Sequence, residues 1–514
     1  MLMDKKSRTH KSILNAKVNL AFFLLNTLAL FVSRKIFLEH LGADFVGLTG
    51  TLQNILGFLN LAELGISTSV SYALYKPISQ GNREEICRII AVFGLLYRRV
   101  GTFVLLAAAA VSLFLPLIFQ KSLFDLGIIY FAFWSFTASS LIGYYVNYKQ
   151  ILLQADQKNY VVTAHFQTVV LIKTLVQIAT VSYIGSLYLW IAVELLFSIV
   201  YSVAINRKIG STYPWLTAEI SLGKRVRCQY PELIRKTRQV FVHKMKDFLL
   251  MQSDQILIFA FVSLKMVAFY GNYTMVIGRL TTIFNTMLDG IVAGVGNLIA
   301  EGDEEKIYRV FWEMVFVRYL IAGTACFALY QGIQPLICLW LGEEYLLGPV
   351  MIALLLANAF IMLSRGAVDM FNFAFGNYGD TWAAWAEGTI NITITIAACS
   401  LWGLPGVLIG KIVSLVPIIV VWKPLYLYRT SFRRSIWHYW KNVGLTLACF
   451  ALAFLCATFC ARLLPLNPYG GYIEWAAYCL AATLIFLMLY LSGLMLLTPG
   501  ARPVLQRFLQ KKHR

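Results

Sequence analysis

The chain has 514 residues, of which 13% are charged and 59% are hydrophobic. Soluble domains carry about 25% charged residues, so the low charge and the mean hydropathy of +0.69 exclude an ordinary soluble protein and indicate an integral membrane protein. The net charge of +19 is not accompanied by an aromatic-interleaved basic motif, so no nucleic-acid partner is expected.

Apolar runs long enough to cross a bilayer, which takes about 20 residues, recur along the whole chain. The first run follows a basic N-terminus and lacks a signal-peptide cleavage site, which favours an uncleaved helix. About fourteen spans are predicted, at 18–38, 45–75, 88–118, 123–151, 160–184, 186–206, 241–264, 269–299, 307–340, 348–375, 381–402, 406–428, 442–463 and 473–497. The predicted fold class is therefore an all-α membrane protein with many spans.

Lysines and arginines concentrate in alternate connections, above all in 207–240, in 429–441 and in the C-terminal tail. Basic loops stay in the cytoplasm, so this pattern predicts that both termini are cytoplasmic, and the basic residues would also attract anionic membrane lipid. The 207–240 connection mixes cations with aromatic residues, which fits either a helix lying on the inner leaflet or an ordered linker.

Metal and cofactor chemistry is not indicated. The nine cysteines are scattered without a CxxC pair, and the six histidines without an HExxH motif. We interpret the cysteines as small buried hydrophobic residues, and no cofactor or metal is expected.

A charged phrase occurs twice. GNREEICRI runs from Gly81 to Ile89, and GDEEKIYRV runs from Gly302 to Val310, each before an apolar span. The repetition pairs the second and third spans with the eighth and ninth, a shift of six helices. An even shift predicts two parallel lobes, an arrangement known among transporters.

The phrase itself has the composition of a helix start. Glycine followed by Asn or Asp can cap a helix, and the glutamates favour the positive end of the helix dipole. Arg88 is spaced to pair with Glu84, and Arg309 with Glu305.

The segment GADFVGLTGTLQNILGFLNLAELGISTSVSYALYKPISQGNREE, from Gly42 to Glu85, resembles the second helix and following loop of bacterial polysaccharide flippases. These are Wzx-like O-antigen exporters of the MOP superfamily, which also contains MATE multidrug exporters and the lipid II flippase. The AELGI phrase and the acidic loop after it carry the likeness most closely. The resemblance implies alternating access through a central cavity bordered largely by helices 1, 2, 7 and 8.

The repeat and this resemblance together predict the domain organisation. An N-lobe of six helices is expected at 1–206, a basic cytoplasmic connector at 207–240, and a C-lobe of six helices at 241–428. Residues 429–514 would add two peripheral helices and a basic tail.

Ionisable residues inside the predicted spans are the candidate site residues, because a charge at mid-membrane costs about 2.5–3.5 kcal/mol on insertion scales. Arg279 is the preferred contact for a substrate phosphate, since a guanidinium matches phosphate oxygens and keeps its charge when buried; an ion pair between the lobes is the alternative. The substrate-binding candidates are Arg279, Arg34, Lys35, Arg98 and Arg318, and the ion-coupling candidates are Glu63, Asp254, Asp289 and Glu387.

Structural explanations stay open for most of these residues. Arg34 and Lys35 could reach the membrane surface, Glu63 could pair with a cation or cap a helix break, and Arg98 and Arg318 could serve packing or pairing. Arg365 and Asp369 are predicted to form an internal pair, and Glu313 is a predicted partner of Arg318. The other intramembrane charges are interpreted as single charges: Lys173, Glu194 and Lys411. Glycines crowd the second and eighth spans, for close packing or for bending.

The resulting hypothesis is a flippase that moves a lipid-linked oligosaccharide, an undecaprenyl-diphosphate carrier of an O-antigen-like repeat unit, across the bacterial inner membrane. Coupling to a proton or sodium ion is implied by the resemblance. A MATE-like drug exporter shares the fold, and a membrane-embedded glycan polymerase or ligase is a third hypothesis that the short outside loops disfavour. The protein is expected to be a transporter and not an enzyme.

Overall fold

A computed structural model describes residues 2–60, 66–120, 122–231, 254–289, 292–377, 379–498, 500, 501 and 503. Every regular element in these ranges is helical, and ten helical stretches are long and apolar enough to cross a membrane. Each predicted span coincides with described helix residues, the seventh only through its last part. The predicted all-α membrane fold is confirmed.

The chain forms two compact units, Met1–Ala268 and Phe269–Arg514. The lobe boundaries predicted from the sequence repeat stay a prediction. The helices of the first unit are α1 (Leu2–Leu41), α2 (Ala43–Leu59), α3 (Ile66–Gln80), α4 (Arg83–Ser112), α5 (Leu115–Ile118), α6 (Leu126–Tyr145), α7 (Ile151–Ala155), α8 (Asn159–Ile184), α9 (Leu187–Thr212), α10 (Ile220–Val226), α11 (254–261) and the first residues of α12 (Leu264–Asp289).

The first unit buries two apolar clusters. One lies among α3, α4 and α9 and includes Ile90, Phe93 and Ile205; the other lies among α2, α6 and α9 and includes Leu52 and Phe133. These side chains are almost fully inaccessible. The clusters fix α4, α6, α8 and α9 side by side, which positions the polar residues described below.

The close approach of α2 to the start of α12 depends on a glycine. A Cβ atom at Gly47 would lie 1.9 Å from the carbonyl oxygen of Leu264 and 2.6 Å from its carbon. Backbone atoms cannot move aside as a side chain can, so only glycine fits. The packing explanation for the glycines of the second span is therefore supported at Gly47.

The first charged phrase begins α4 as its composition predicts. Gly81 has a φ of +66°, a conformation that glycine adopts readily. The Asn82 side chain accepts a hydrogen bond from the Glu85 backbone amide at 3.0 Å. The predicted pair forms one turn on, with Arg88 Nη2 at 2.5 Å from Glu84 Oε1.

The same phrase also holds the connector that follows α9. The Tyr230 hydroxyl donates a hydrogen bond to Glu85 Oε1 at 2.7 Å, and the Arg83 guanidinium lies 5.5 Å from the ring centre of Trp215. Burial, followed by the hydrogen bond to Glu85, raises the pKa of Tyr230 above its usual range, so the phenol remains a donor at cellular pH. The phrase is thus an anchoring point as well as a helix start.

Helix α10 lies directly on α4. A Cβ atom at Gly223 would come within 2.2 Å of the Ala91 carbonyl oxygen, while Lys224, Arg225 and Arg227 are exposed. The described part of the connector is therefore ordered against α4, and its basic side chains face outward.

In the residues that the structure describes, the second unit continues with α12 and has nine further helices of known bounds. They are α13 (Val292–Glu301), α14 (Glu304–Leu341), α15 (Pro349–Ser364), α16 (Gly366–Ala374), α17 (Thr381–Trp402), α18 (Leu404–Leu415), α19 (Lys423–Leu427), α20 (Ile436–Arg462) and α21 (Tyr472–Leu497), with π-helical turns at 416–422 and 428–432. Helix α14 packs against α15 and α21, and its aromatic residues stack with those of α21, as Phe327 does on Phe486 at 4.5 Å.

The second phrase repeats the cap but takes a different ionic partner. Asp303 accepts from the Lys306 backbone amide at 3.0 Å, and Gly302 has a φ of +79°. The predicted partner of Glu305 was Arg309, and this prediction was wrong. Glu305 pairs instead with Arg434, which lies in the connector before α20. The Arg434 guanidinium also lies 4.2 Å from the ring centre of Tyr308, so this phrase also anchors the connector that precedes α20.

The Gly47 contact gives the first prediction. Gly47→Ala should lower the stability of the purified protein by about 1–3 kcal/mol, the usual cost of overpacking, and thermal unfolding in detergent measures it. Gly210→Ala is the matched control, because a Cβ there meets nothing within 4 Å and alanine favours a helix by up to about 1 kcal/mol. Equal unfolding temperatures for the two variants would contradict the tight packing.

Connector anchoring gives the second prediction. Tyr230→Phe removes a hydrogen bond at a partly exposed site, whose net contribution is about 0.6–1.4 kcal/mol, so amide hydrogen exchange across 213–231 should accelerate about threefold to tenfold. Cys228→Ser, at an exposed position of the same segment, should leave exchange unchanged. An unaltered exchange pattern in Tyr230→Phe would mean that the contact does not hold the connector.

Candidate functional site

An ion pair joins α8 and α9 in the first unit. Lys173 Nζ is 2.6 Å from Glu194 Oε1, and Gln177 Nε2 donates to Glu194 Oε2 at 3.1 Å. The expectation that Lys173 and Glu194 are single charges was wrong, because adjacent helices bring them together and pairing offsets the cost of placing each in the membrane.

The ion pair borders a polar cavity of about 280 Å³ within the first unit. The cavity wall also includes Asn147 and Gln150, which follow α6, and Ser139 and Ser198, which face it from α6 and α9. A polar cleft beside a paired charge can admit water to the ion pair.

Uncharged polar residues organise the wall of this cavity, and no sequence pattern had predicted their role. Asn147 Oδ1 accepts from Ser202 Oγ at 2.7 Å and from Asn206 Nδ2 at 2.8 Å. The Tyr201 hydroxyl donates to Gln150 Oε1 at 2.8 Å. The sequence signal for this polar network was the pair Ser202 and Asn206, which lie four residues apart in an apolar run and therefore on one helix face.

The structure separates the two cations of α1. Arg34 is half-buried and its Nη2 donates to the Ala268 carbonyl at 3.0 Å. Lys35 Nζ lies 3.9 Å from Glu39 Oε1 one turn along the helix, and 45% of its side chain is exposed. Arg34 therefore points into the protein, whereas Lys35 points toward the end of α1.

Arg98 and Arg99 are exposed on α4. Arg98 follows the buried Tyr97, whose ring centre lies 4.1 Å from that of Phe93. The boundary between the buried and the exposed face of α4 therefore falls between Tyr97 and Arg98. The substrate role of Arg98 stays a prediction.

Arg318 is buried, with 6% of its surface accessible, and joins three helices of the second unit. Its Nη1 donates to Asn285 Oδ1 on α12 at 2.8 Å. A Cβ at Gly366, the first residue of α16, would lie 2.5 Å from the guanidinium carbon. The charge is thus held by polar and packing contacts, while its pairing with the buried Glu313 stays a prediction.

Arg279 lies half-buried on the same helix as Asn285. The next residue, Leu280, packs with Phe284 against an apolar cluster that includes Ala322 and Leu363. This packing fixes the rotation of α12 around its axis and therefore the direction in which Arg279 projects.

The predicted internal pair is present, with Arg365 Nε at 2.6 Å from Asp369 Oδ2. Two ion-coupling candidates, Asp254 and Glu387, are buried, at 6% and 0% accessibility. Beside Asp254, Gln255 accepts a hydrogen bond from Asn54 at 2.6 Å.

The other two ion-coupling candidates are Glu63 and Asp289. Glu63 lies outside the described residues, and so does the side chain of Asp289. Among the residues that the structure describes, no group of three or more His, Cys, Asp or Glu side chains could hold a metal ion.

Comparison with known proteins identifies the fold. No protein-family model matches the chain, and no curated protein matches it. A solved structure described as the lipid II flippase MurJ in an inward closed conformation is similar over 94% of this chain and 98% of that one, with a TM-score of 0.65 and 14% identity. An inward-facing multidrug resistance MATE family transporter of the MOP superfamily is similar over 81% of this chain and 99% of that one, with a TM-score of 0.58 and 14% identity. These likenesses show the MATE-like and MurJ-like fold.

The ion pair in the first unit gives the third prediction. Lys173→Met leaves Glu194 without its cation and should destabilise the protein by up to about 3 kcal/mol, whereas the double variant Lys173→Met/Glu194→Gln should recover part of the loss. Thermal unfolding in detergent measures both. Lys208→Met, at an exposed position near the end of α9, should change stability by less than about 0.5 kcal/mol. Additive losses in the double variant would show that the two residues do not interact.

Proposed function

We propose that this protein is a flippase that moves an undecaprenyl-diphosphate-linked oligosaccharide from the inner to the outer leaflet of the bacterial cytoplasmic membrane by alternating access. The observation that carries the proposal is the presence of arginines within the helices of a fold shared with a lipid II flippase. Arg34, Arg279 and Arg318 are all buried or half-buried there.

Arginine suits a diphosphate for a chemical reason. A guanidinium offers planar paired donors, is always charged in proteins and is less strongly hydrated than an ammonium. Arg279 is the proposed principal phosphate contact, because its helix is fixed by apolar packing while its own side chain remains half-accessible. Arg34 donates to the Ala268 carbonyl and Arg318 donates to Asn285; both remain proposed substrate-binding residues, as do Lys35 and Arg98.

Ion coupling is proposed for carboxylates within the membrane. Asp254 and Glu387 are buried, as a proton or sodium site requires if it is to be closed to solvent in one conformation. Glu63 and Asp289 remain candidates from the sequence. The partners of the protein would thus be the lipid-linked oligosaccharide, a proton or sodium ion, and membrane lipid.

The proposed orientation places both termini in the cytoplasm. It is supported by the exposed cations of the connector between α9 and α11, because positively charged segments remain on the cytoplasmic side. The charged phrases at the starts of α4 and α14 would then lie at the cytoplasmic face.

Arg279 gives the fourth prediction. In cells deleted for the gene, surface glycan should be restored by the wild type, partly by Arg279→Lys, and at least about tenfold less by Arg279→Ala, because the charged contact to phosphate, worth about 1.5–3 kcal/mol, is lost. Surface glycan is measured by labelling intact cells, and protein amount by immunoblotting of membranes.

Arg207→Ala, at an exposed position near the end of α9, is the control and should restore glycan fully. Normal surface glycan in the deleted strain would refute the flippase assignment. If the deleted strain instead became sensitive to cationic drugs while keeping its glycan, the MATE-like exporter would replace it. Full restoration by Arg279→Ala would remove Arg279 from the mechanism.

A further inference from the structure

A second cavity, of about 310 Å³, lies in the second unit at the end of α14 opposite the charged phrase. It is formed where the last turns of α14 meet the start of α15, the loop between α20 and α21, and the first turns of α21. Its wall includes Tyr330, Gln331 and Gln334 of α14, Pro468 and Tyr469 of the loop, and Tyr478 of α21.

The chemistry of this wall favours a neutral polar ligand. The described lining contains tyrosines, glutamines, prolines and an isoleucine, and none of these side chains is charged at neutral pH. Tyr330 and Tyr469 expose 42% and 50% of their surface, whereas Tyr478 is buried. Aromatic faces with a few directed amide groups are the features with which proteins hold sugar rings, whose C–H faces stack on aromatic rings and whose hydroxyls take the hydrogen bonds.

The two glutamines of the wall differ in how they are used. Gln334 is engaged on both sides, because its Oε1 accepts from the Tyr273 hydroxyl and its Nε2 donates to the Leu347 carbonyl at 2.7 Å. Gln331 accepts from the Tyr478 hydroxyl at 3.2 Å, but its amide nitrogen is buried and has no acceptor in the described part of the chain. Buried amide donors are normally paired, and Gln331 lines the cavity, so a ligand oxygen would satisfy this donor if the side chain turns its amide nitrogen toward the cavity.

From these observations we infer that this cavity is a binding site for a neutral sugar, with Tyr469 as the stacking platform and Gln331 as the hydrogen-bond donor. The inference rests on the proposed function, in which this end of the second unit faces the outside and meets the oligosaccharide as it leaves. The volume lies at the small end of the range for ligand pockets, about 300–1,000 Å³, and suits one or two sugar rings. Helices α20 and α21 would then contribute to substrate release.

The test uses the full-length protein in lipid nanodiscs and saturation-transfer difference NMR. The probes are the methyl glycosides of glucose, galactose, N-acetylglucosamine and rhamnose, and glycerophosphocholine represents a lipid headgroup. At least one sugar should bind the wild type with a saturable signal. Tyr469→Ala and Gln331→Ala should each weaken it about fivefold to tenfold, whereas Tyr469→Phe, which keeps the ring, should stay within about twofold.

Tyr183→Ala is the control variant, because Tyr183 is 90% exposed at the end of α8 in the first unit, and it should bind as the wild type does. The inference is overturned if no sugar binds, if Tyr469→Ala binds as tightly as Tyr469→Phe, or if glycerophosphocholine alone binds with the same variant dependence. Sugar binding without any effect of gene deletion on surface glycan would reject the flippase and retain the site. The reverse result would reject the site and retain the flippase.

Discussion

The cost of placing a charge in hydrocarbon is the constraint on which the other features of this structure depend. An ionised side chain at mid-membrane must be paired, hydrogen-bonded or in contact with water. Lys173 and Glu194 meet this requirement by pairing with each other, and Arg318 meets it by burial against Asn285 and Gly366. Arg34 meets it through a backbone carbonyl. Each of these contacts offsets part of the cost of placing a charge within the membrane.

The two charged phrases show how one local sequence supports two different tertiary contacts. The first phrase caps its helix through Asn82, and the second through Asp303. The first phrase also holds the connector after the sixth predicted span, and the second holds the connector after the twelfth. The first phrase uses a tyrosine–glutamate hydrogen bond, and the second uses Arg434 between a glutamate and a tyrosine ring. Under the proposed function, a connector fixed to its own unit would move with that unit during alternating access.

The sequence predicted the features that depend on local composition. Apolar runs located the helices, and the glycine, the cap and the i,i+4 spacing predicted the starts of α4 and α14 as well as the Arg365–Asp369 pair. It could not predict partners brought together by packing, so the Lys173–Glu194 pair was missed and Arg434 was not recognised as the partner of Glu305. The sugar-sized cavity depends on four separate segments, from α14, α15, the loop before α21, and α21, which no local pattern joins. The assignments of Glu63 and Asp289 rest on the sequence alone.

Reconstitution tests the central claim most directly. Purified protein would be placed in sealed liposomes with an undecaprenyl-diphosphate oligosaccharide confined to one leaflet, and a membrane-impermeant glycosidase would report its arrival in the other. The account predicts that the protein accelerates appearance of cleavable oligosaccharide and that an imposed proton or sodium gradient changes the rate. The flippase account is contradicted if the rate equals that of protein-free liposomes under every gradient, while a thermal unfolding assay shows that the protein is folded.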